Sequence, residues 1–103
     1  YRMTVSMLLD LADGLPASPP SPGWSEASAR RVAREQATQY LAGVLDSGEQ
    51  REWCVAESGV PPHEVDEALL SALRQAPGDQ AAANVLRGLA SARYPCKDQA
   101  GMP

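Results

Sequence analysis

Phenylalanine and isoleucine are both missing from this chain, and alanine, with 17 of the 103 residues, fills their place. Sandwiches and barrels need β-branched and aromatic side chains, whereas alanine is the best helix former and lets helices approach closely. The larger aliphatics are only 11 leucines and 7 valines. A set so thin points to disorder when net charge is high, but here the charge is only -4 and the aliphatics recur at helical spacing. The chain therefore reads as one all-α domain, residues 1–103, with a core small enough to lean on a covalent staple or a partner. Residues 1–3 read as a loose start or leftover expression sequence, and residues 97–103 as a loose tail.

Charge and hydropathy narrow the partners. A pI near 4.8 argues against the phosphate backbone of a nucleic acid, which needs a basic face. No apolar run reaches the roughly 18 residues of a membrane span. The opening Tyr1-Arg2-Met3 is followed by no apolar h-region and cleavage site, so it does not read as a secretory signal.

Four helices follow from the periodicity. Val5, Leu8, Leu9 and Ala12 form the first stripe, with Thr4 as N-cap and Asp13-Gly14 as its stop. Leu15 to Gly23 carries four prolines and reads as a surface linker. Ser25 caps the longest helix, whose apolar face runs from Ala29 through Ala33, Ala37 and Leu41 to Leu45. Its stripe Ala29, Ala33, Ala37 would admit another helix closely, and Arg30, Arg31 and Arg34 lie mostly on the opposite, solvated face. The polar stretch from Asp46 to Glu52, with Gly48, ends that helix. Trp53-Cys54-Val55 reads as a short extended island. Pro61-Pro62 opens a third helix with Val65, Ala68, Leu69, Ala72 and Leu73 on its stripe, closing at Ala76 before Pro77-Gly78. Asp79 caps a fourth, built on Ala82, Val85, Leu86 and Leu89, which Tyr94-Pro95-Cys96 terminates.

Few residues offer chemistry. A hydrolase built on Cys54 and His63 needs a thiolate beside a base, yet His63 falls in the solvent-facing first turn of a helix and neither cysteine sits in a nucleophile motif. One histidine and two cysteines without C-x-x-C spacing do not build a structural zinc site unaided. No cofactor motif is present in the sequence. Cys54 and Cys96 read better as a disulfide that ties both ends of the last helical hairpin; two reduced, buried cysteines are the alternative. Closing a loop of about 43 residues contributes about 4 kcal/mol in the chain-entropy account, and a disulfide implies an oxidising compartment. Trp24 and Trp53 read as plugs over small-residue helices, with anchors at an interface as the alternative.

Taken together, several segments match a known pattern. Trp53-Cys54-Val55, Val60-Pro61-Pro62-His63-Glu64-Val65, Leu69-Leu70, the alanine-rich Ala82 to Leu89, Tyr94-Pro95-Cys96 and the helical Tyr40-Leu41-Ala42-Gly43-Val44 form a spaced set. That set resembles the Tai family, immunity proteins against type VI secretion amidase effectors, over roughly residues 4–96. Two departures stand out: Ala12 and Ala37 occupy places where many members carry a second cysteine pair, and Val60-Pro61 replaces the usual Val-Thr.

The resemblance implies a periplasmic, commonly homodimeric helical domain that occludes the cleft of a papain-like peptidoglycan amidase and does no chemistry itself. A cleft admits a protruding turn more easily than the side of a helix. The expected toxin-binding residues are therefore Asp46, Ser47, Gly48, Glu49, Gln50, Arg51 and Glu52, and next Pro77, Gly78 and Asp79. Dimerisation is expected through a small-residue helix face. The rival reading is a periplasmic helical adaptor or carrier for a peptide or lipid, which needs a ligand-sized apolar cavity. The expected architecture is an all-α, four-helix domain with a Cys54–Cys96 disulfide.

Overall fold

The computed structural model describes residues 2–19 and 22–97, and their regular structure is helical: α1 (Val5–Ala12), α2 (Glu26–Gly48), α3 (Val55–Ser58), α4 (Pro62–Leu73) and α5 (Ala82–Arg93). Of the loose ends expected at the termini, Tyr1 and residues 98–103 lie outside the described residues.

The division of labour between large and small side chains makes the bundle. Leucines and valines project from α1 (Val5, Leu8, Leu11) and α4 (Val65, Leu69, Leu73). Alanines dominate the buried faces of α2 (Ala29, Ala33, Ala37, with Leu41) and α5 (Ala82 and Ala90 around Leu86). α1 packs on α2 and α4 on α5, so each bulky face meets a shallow one, and the core closes without phenylalanine or isoleucine. The Ala29–Ala33–Ala37 stripe, expected to admit another helix closely, is buried inside the chain itself. The helix it admits is α1. Ala12 and Ala37 both belong to the apolar cluster.

Main-chain hydrogen bonds supplement the side-chain cap where α1 begins and stand in for one where α5 begins. The Val5 and Ser6 N–H groups donate to the Gln80 and Gly78 carbonyls at 2.9 and 3.0 Å, and the Ala82 N–H donates to the Met3 carbonyl at 2.9 Å. This pairing, centred on an isolated antiparallel bridge between Thr4 and Ala81, satisfies amides that a helix start leaves open. Two expectations are corrected by it. Asp79 does not cap the last helix: Ala81 stands at the N-cap, and no side chain is needed because residue 3 supplies the acceptor. Met3 is not loose, since its carbonyl is one end of the tie. Thr4 and Ser25 do cap α1 and α2, accepting from the Met7 and Ser28 N–H groups.

Other boundaries moved for local reasons. α2 continues through Asp46 and Ser47 to Gly48. α4 stops at Leu73, after which Gln75 and Ala76 donate three residues back, to Ala72 and Leu73, in a tightened last turn. Val55 opens α3 instead of extending a strand-like island, which makes five helices where four were expected. Asp13 and Arg74, at the ends of α1 and α4, form a two-point ion pair with a shortest distance of 2.6 Å. The Arg74 hydrogen bond holds the Asp13 carboxyl below its ordinary pKa, and Asp13 in turn raises that of Arg74.

Candidate binding surface

The end of the molecule where α2 stops is stitched more densely than its size requires. The Gly48 carbonyl accepts from the Arg51, Glu52 and Trp53 N–H groups at 3.0, 2.8 and 3.3 Å, while the Gln50 N–H donates to the Trp53 carbonyl at 2.8 Å. This folds residues 48–53 into a closed turn. Trp53 lies fully buried beneath it, with its indole N–H donating to the Leu45 carbonyl at 2.8 Å. Its ring is pressed onto Gly48, where a Cβ would come within 2.5 Å of Cη2 and 2.8 Å of Cε2. Gly48 is thus a glycine because an indole occupies the place of its side chain.

Glu49 begins the next tie. Its two carboxylate oxygens accept from the Val55 and Ala56 N–H groups at 2.9 and 3.1 Å, capping α3 from six residues upstream. Glu52 pairs with Arg87 of α5 at 3.2 Å, and Glu57 accepts from the Lys97 N–H at 3.2 Å. The Cys54–Cys96 disulfide, with Cα atoms 4.7 Å apart, and the bond from the Cys54 N–H to the Tyr94 carbonyl fasten the turn to the end of α5.

What the turn presents is narrower than the expected segment. Asp46, Ser47, Gln50, Arg51 and Glu52 are exposed; Gly48 is buried, and Glu49 is half-buried with both oxygens engaged. Arg51 itself donates to the Ser47 carbonyl. Gln50 has φ +68°, the left-handed region that costs an L-residue about 1 kcal/mol and persists only where its surroundings hold it.

The second expected element is elsewhere. Pro77 and Asp79 are exposed beside the start of α1, but Gly78 is packed so tightly on Ser6 that an added Cβ would collide with the Ser6 hydroxyl. Asp79 precedes the start of α5, whereas Glu52 reaches Arg87 midway along that helix and Cys54 is bonded to Cys96 beyond its end. The two turns do not form one patch.

Trp24, expected as a plug, is 51% exposed, and Leu15 is 55% exposed. Trp24 lines a surface groove of about 200 Å³ with Pro16, Pro19, Val32, Ala33 and Gln36. It stands between Pro22-Gly23 and the Ser25 cap, outside any periodic stripe, as the buried Trp53 also does. Arg30 pairs with Glu26 at 2.7 Å on the solvated side of α2. His63 is exposed, and because Cys54 is bonded to Cys96 it has no thiolate to offer a hydrolytic reaction.

The geometry first defines a class: a small all-α domain clamped by one disulfide, whose accessible features are turns and shallow surface grooves. No described helix is long and apolar enough to cross a membrane. The family model described as Rap1a immunity proteins matches residues 9–96, and the chain belongs to that family. No curated protein matches it. Membership in an immunity family implies binding a cognate effector.

Proposed function

We propose that this protein is a periplasmic immunity protein of type VI secretion that occludes the active-site cleft of a papain-like peptidoglycan amidase, with the turn 48–53 entering the cleft. The observation that carries the choice of turn is Gln50: a non-glycine residue at φ +68° on a tip fastened by an indole, a carboxylate cap, an ion pair and a disulfide. A rigid tip loses little entropy on docking, so more of its contact energy appears as affinity. The exposed Asp46, Ser47, Gln50 and Arg51 are the contacting groups; Gly48, Glu49 and Glu52 hold them in place. Pro77 and Asp79 form a second, separate contact. The disulfide suits an oxidising compartment. The resemblance in sequence supports the amidase as target and a homodimer as the working form, formed through a face other than the Ala29–Ala33–Ala37 stripe. Such a protein performs no reaction of its own. The carrier reading has less to stand on, because the grooves beside Trp24, about 200 and 370 Å³, are open surface features lined partly by Ser25, Ser28, Arg31 and Gln36, and not enclosed apolar cavities.

The test is a titration into the papain-like amidase encoded beside this chain, following peptidoglycan hydrolysis, with a noncognate amidase as control. Activity should vanish at one chain per enzyme for the neighbour alone. Q50A and R51E should each weaken binding about tenfold or more while the helical circular dichroism is retained. Unimpaired hydrolysis at micromolar protein would refute the amidase reading, and full inhibition by both variants would remove the turn from the interface.

A further inference from the structure

The connection between α1 and α2 carries the two large apolar side chains that stay exposed among the described residues, Leu15 and Trp24. Two shallow grooves join them by way of Pro16 and Ala17. One borders Met7 on the Leu15 side, and the other borders Val32 on the Trp24 side. The result is a continuous, uncovered apolar surface, which marks a contact site.

The surface is basic in a chain that is acidic overall. Between residues 14 and 34 three arginines face a single acidic residue, Glu26, while the whole chain carries a net charge of -4. Glu26 is taken up by Arg30. Arg31 borders the groove beside Trp24. The Arg34 guanidinium lies over Gly14, the neighbour of Leu15, where an added Cβ would stand 3.3 Å from Nε and Nη2. Among the described residues neither Arg31 nor Arg34 has a carboxylate partner. One carboxylate, Asp10, borders the Leu15 groove, and a positive excess remains. The acidic end of α2 does not cancel it: Arg31 and Asp46 are separated by about 22 Å of helix rise, more than twice the Debye length of about 8 Å.

We propose that this end of the molecule docks on an anionic phospholipid bilayer, with Leu15 and Trp24 entering the headgroup region and Arg31 and Arg34 pairing with lipid phosphates. A protein partner would need a hollow to receive two side chains that project from a loop, whereas a fluid bilayer conforms to them. Tryptophan favours the boundary where one side is apolar and the other wet, and a guanidinium meets a phosphate through two parallel hydrogen bonds. The domain lies on the membrane and does not span it. Between Glu26 and Gly48, α2 rises about 33 Å, so the turn 48–53 stands at the opposite end of that helix and stays free for an effector.

The experiment uses the full oxidised chain with vesicles of phosphatidylglycerol and phosphatidylethanolamine, and phosphatidylcholine vesicles as the neutral control. At about 1 mM lipid the chain should sediment with the anionic vesicles and not with the neutral ones, and raising the salt to about 0.5 M should release it. Emission from Trp24 should shift to the blue and be quenched by brominated acyl chains. W24F, which keeps only the fully buried Trp53, should show neither change. R31E/R34E and, separately, L15S/W24S should each weaken vesicle binding about tenfold or more, with helical circular dichroism and melting temperature retained. Absence of binding to the anionic vesicles, equal binding to the neutral ones, or parental affinity in either double variant overturns the surface. Self-association of the parent that L15S/W24S abolishes, with no vesicle binding, assigns the patch to a second copy and overturns it too. No effector is present in these measurements, so failure of the immunity titration and failure of this surface are separate results.

Discussion

Replacing Gly48 with alanine sets two rules against each other. Gly48 is the last residue of α2, and in a helix alanine is favoured over glycine by up to about 1 kcal/mol. The new methyl, however, would lie 2.5 Å from Trp53 Cη2 and 2.8 Å from Cε2, where carbon atoms need about 3.5 Å. The indole must retreat by about 1 Å, but its other face is in the core and the side chain is fully buried. Overpacking of this kind costs about 1–3 kcal/mol. Retreat also stretches the 2.8 Å bond from the indole N–H to the Leu45 carbonyl, at about 1 kcal/mol or more for a buried donor left short of its acceptor. The sum is a net destabilisation of about 2 kcal/mol. Urea unfolding of the oxidised chain, read by Trp53 fluorescence in a W24F background, measures it. In a W53L background, with the ring gone, G48A should be neutral or stabilising. G78A is the internal contrast: its Cβ meets the Ser6 hydroxyl, which can rotate away, so its cost should be well below that of G48A. A G48A chain as stable as the parent would refute the claim that the indole dictates this glycine.

Three further outcomes follow from the same contacts. E49Q leaves one of the two α3 amides without its acceptor and should cost about 1 kcal/mol, with hydrogen exchange accelerating at Val55 and Ala56 while α4 stays protected. Replacing both cysteines with serine should lower stability by about 2–4 kcal/mol and the melting temperature by on the order of 15 °C, measured by circular dichroism. The Asp13 carboxyl is held below its ordinary pKa by Arg74, so its contribution is present above the unfolded value of about 3.9 and lost as pH falls through the lower, folded value. D13N should therefore flatten the stability profile below pH 4, and an unchanged acid limb of the urea midpoint would remove the pair from the account.

The helices were legible because their signals are local. Stripes such as Val5-Leu8-Ala12 and Val65-Leu69-Leu73 repeat within one element, and Thr4 and Ser25 cap residues three positions away. What could not be read depends on partners distant in the chain. Asp79 has the chemistry of a cap and is not one, because residue 3 arrives first with a carbonyl. Gly48 reads as a helix stop, but the reason for it is the indole of Trp53. The one-turn α3 has no capping residue of its own; its acceptor is Glu49, six residues upstream, in a segment that reads as solvated acid. Within the segment Asp46 to Glu52 the internal ties could not be read: Gly48 lies under an indole, Glu49 caps α3 and Glu52 pairs with Arg87. Trp24 and Trp53 both stand outside any periodic stripe, and what separates the exposed one from the buried one is the turn that folds Trp53 against Gly48 and the Leu45 carbonyl.

The same scarcity of large side chains that dictates close helix packing also decides where rigidity is concentrated. An alanine face buries little area per residue, at about 25 cal/mol per Å², so α2 and α5 contribute less through their own burial than leucine-rich helices would. The structure places its compensation at one end, where Trp53, the largest fully buried side chain, the disulfide and the Glu49 cap all act within residues 48–57. A uniformly stiff bundle would spread such devices along the helices. Concentrated as they are, they hold a short turn with its backbone already in a costly conformation, so the cost is met on folding and not on binding. That is the arrangement the proposed docking of this turn calls for, because a preformed tip loses little entropy on binding.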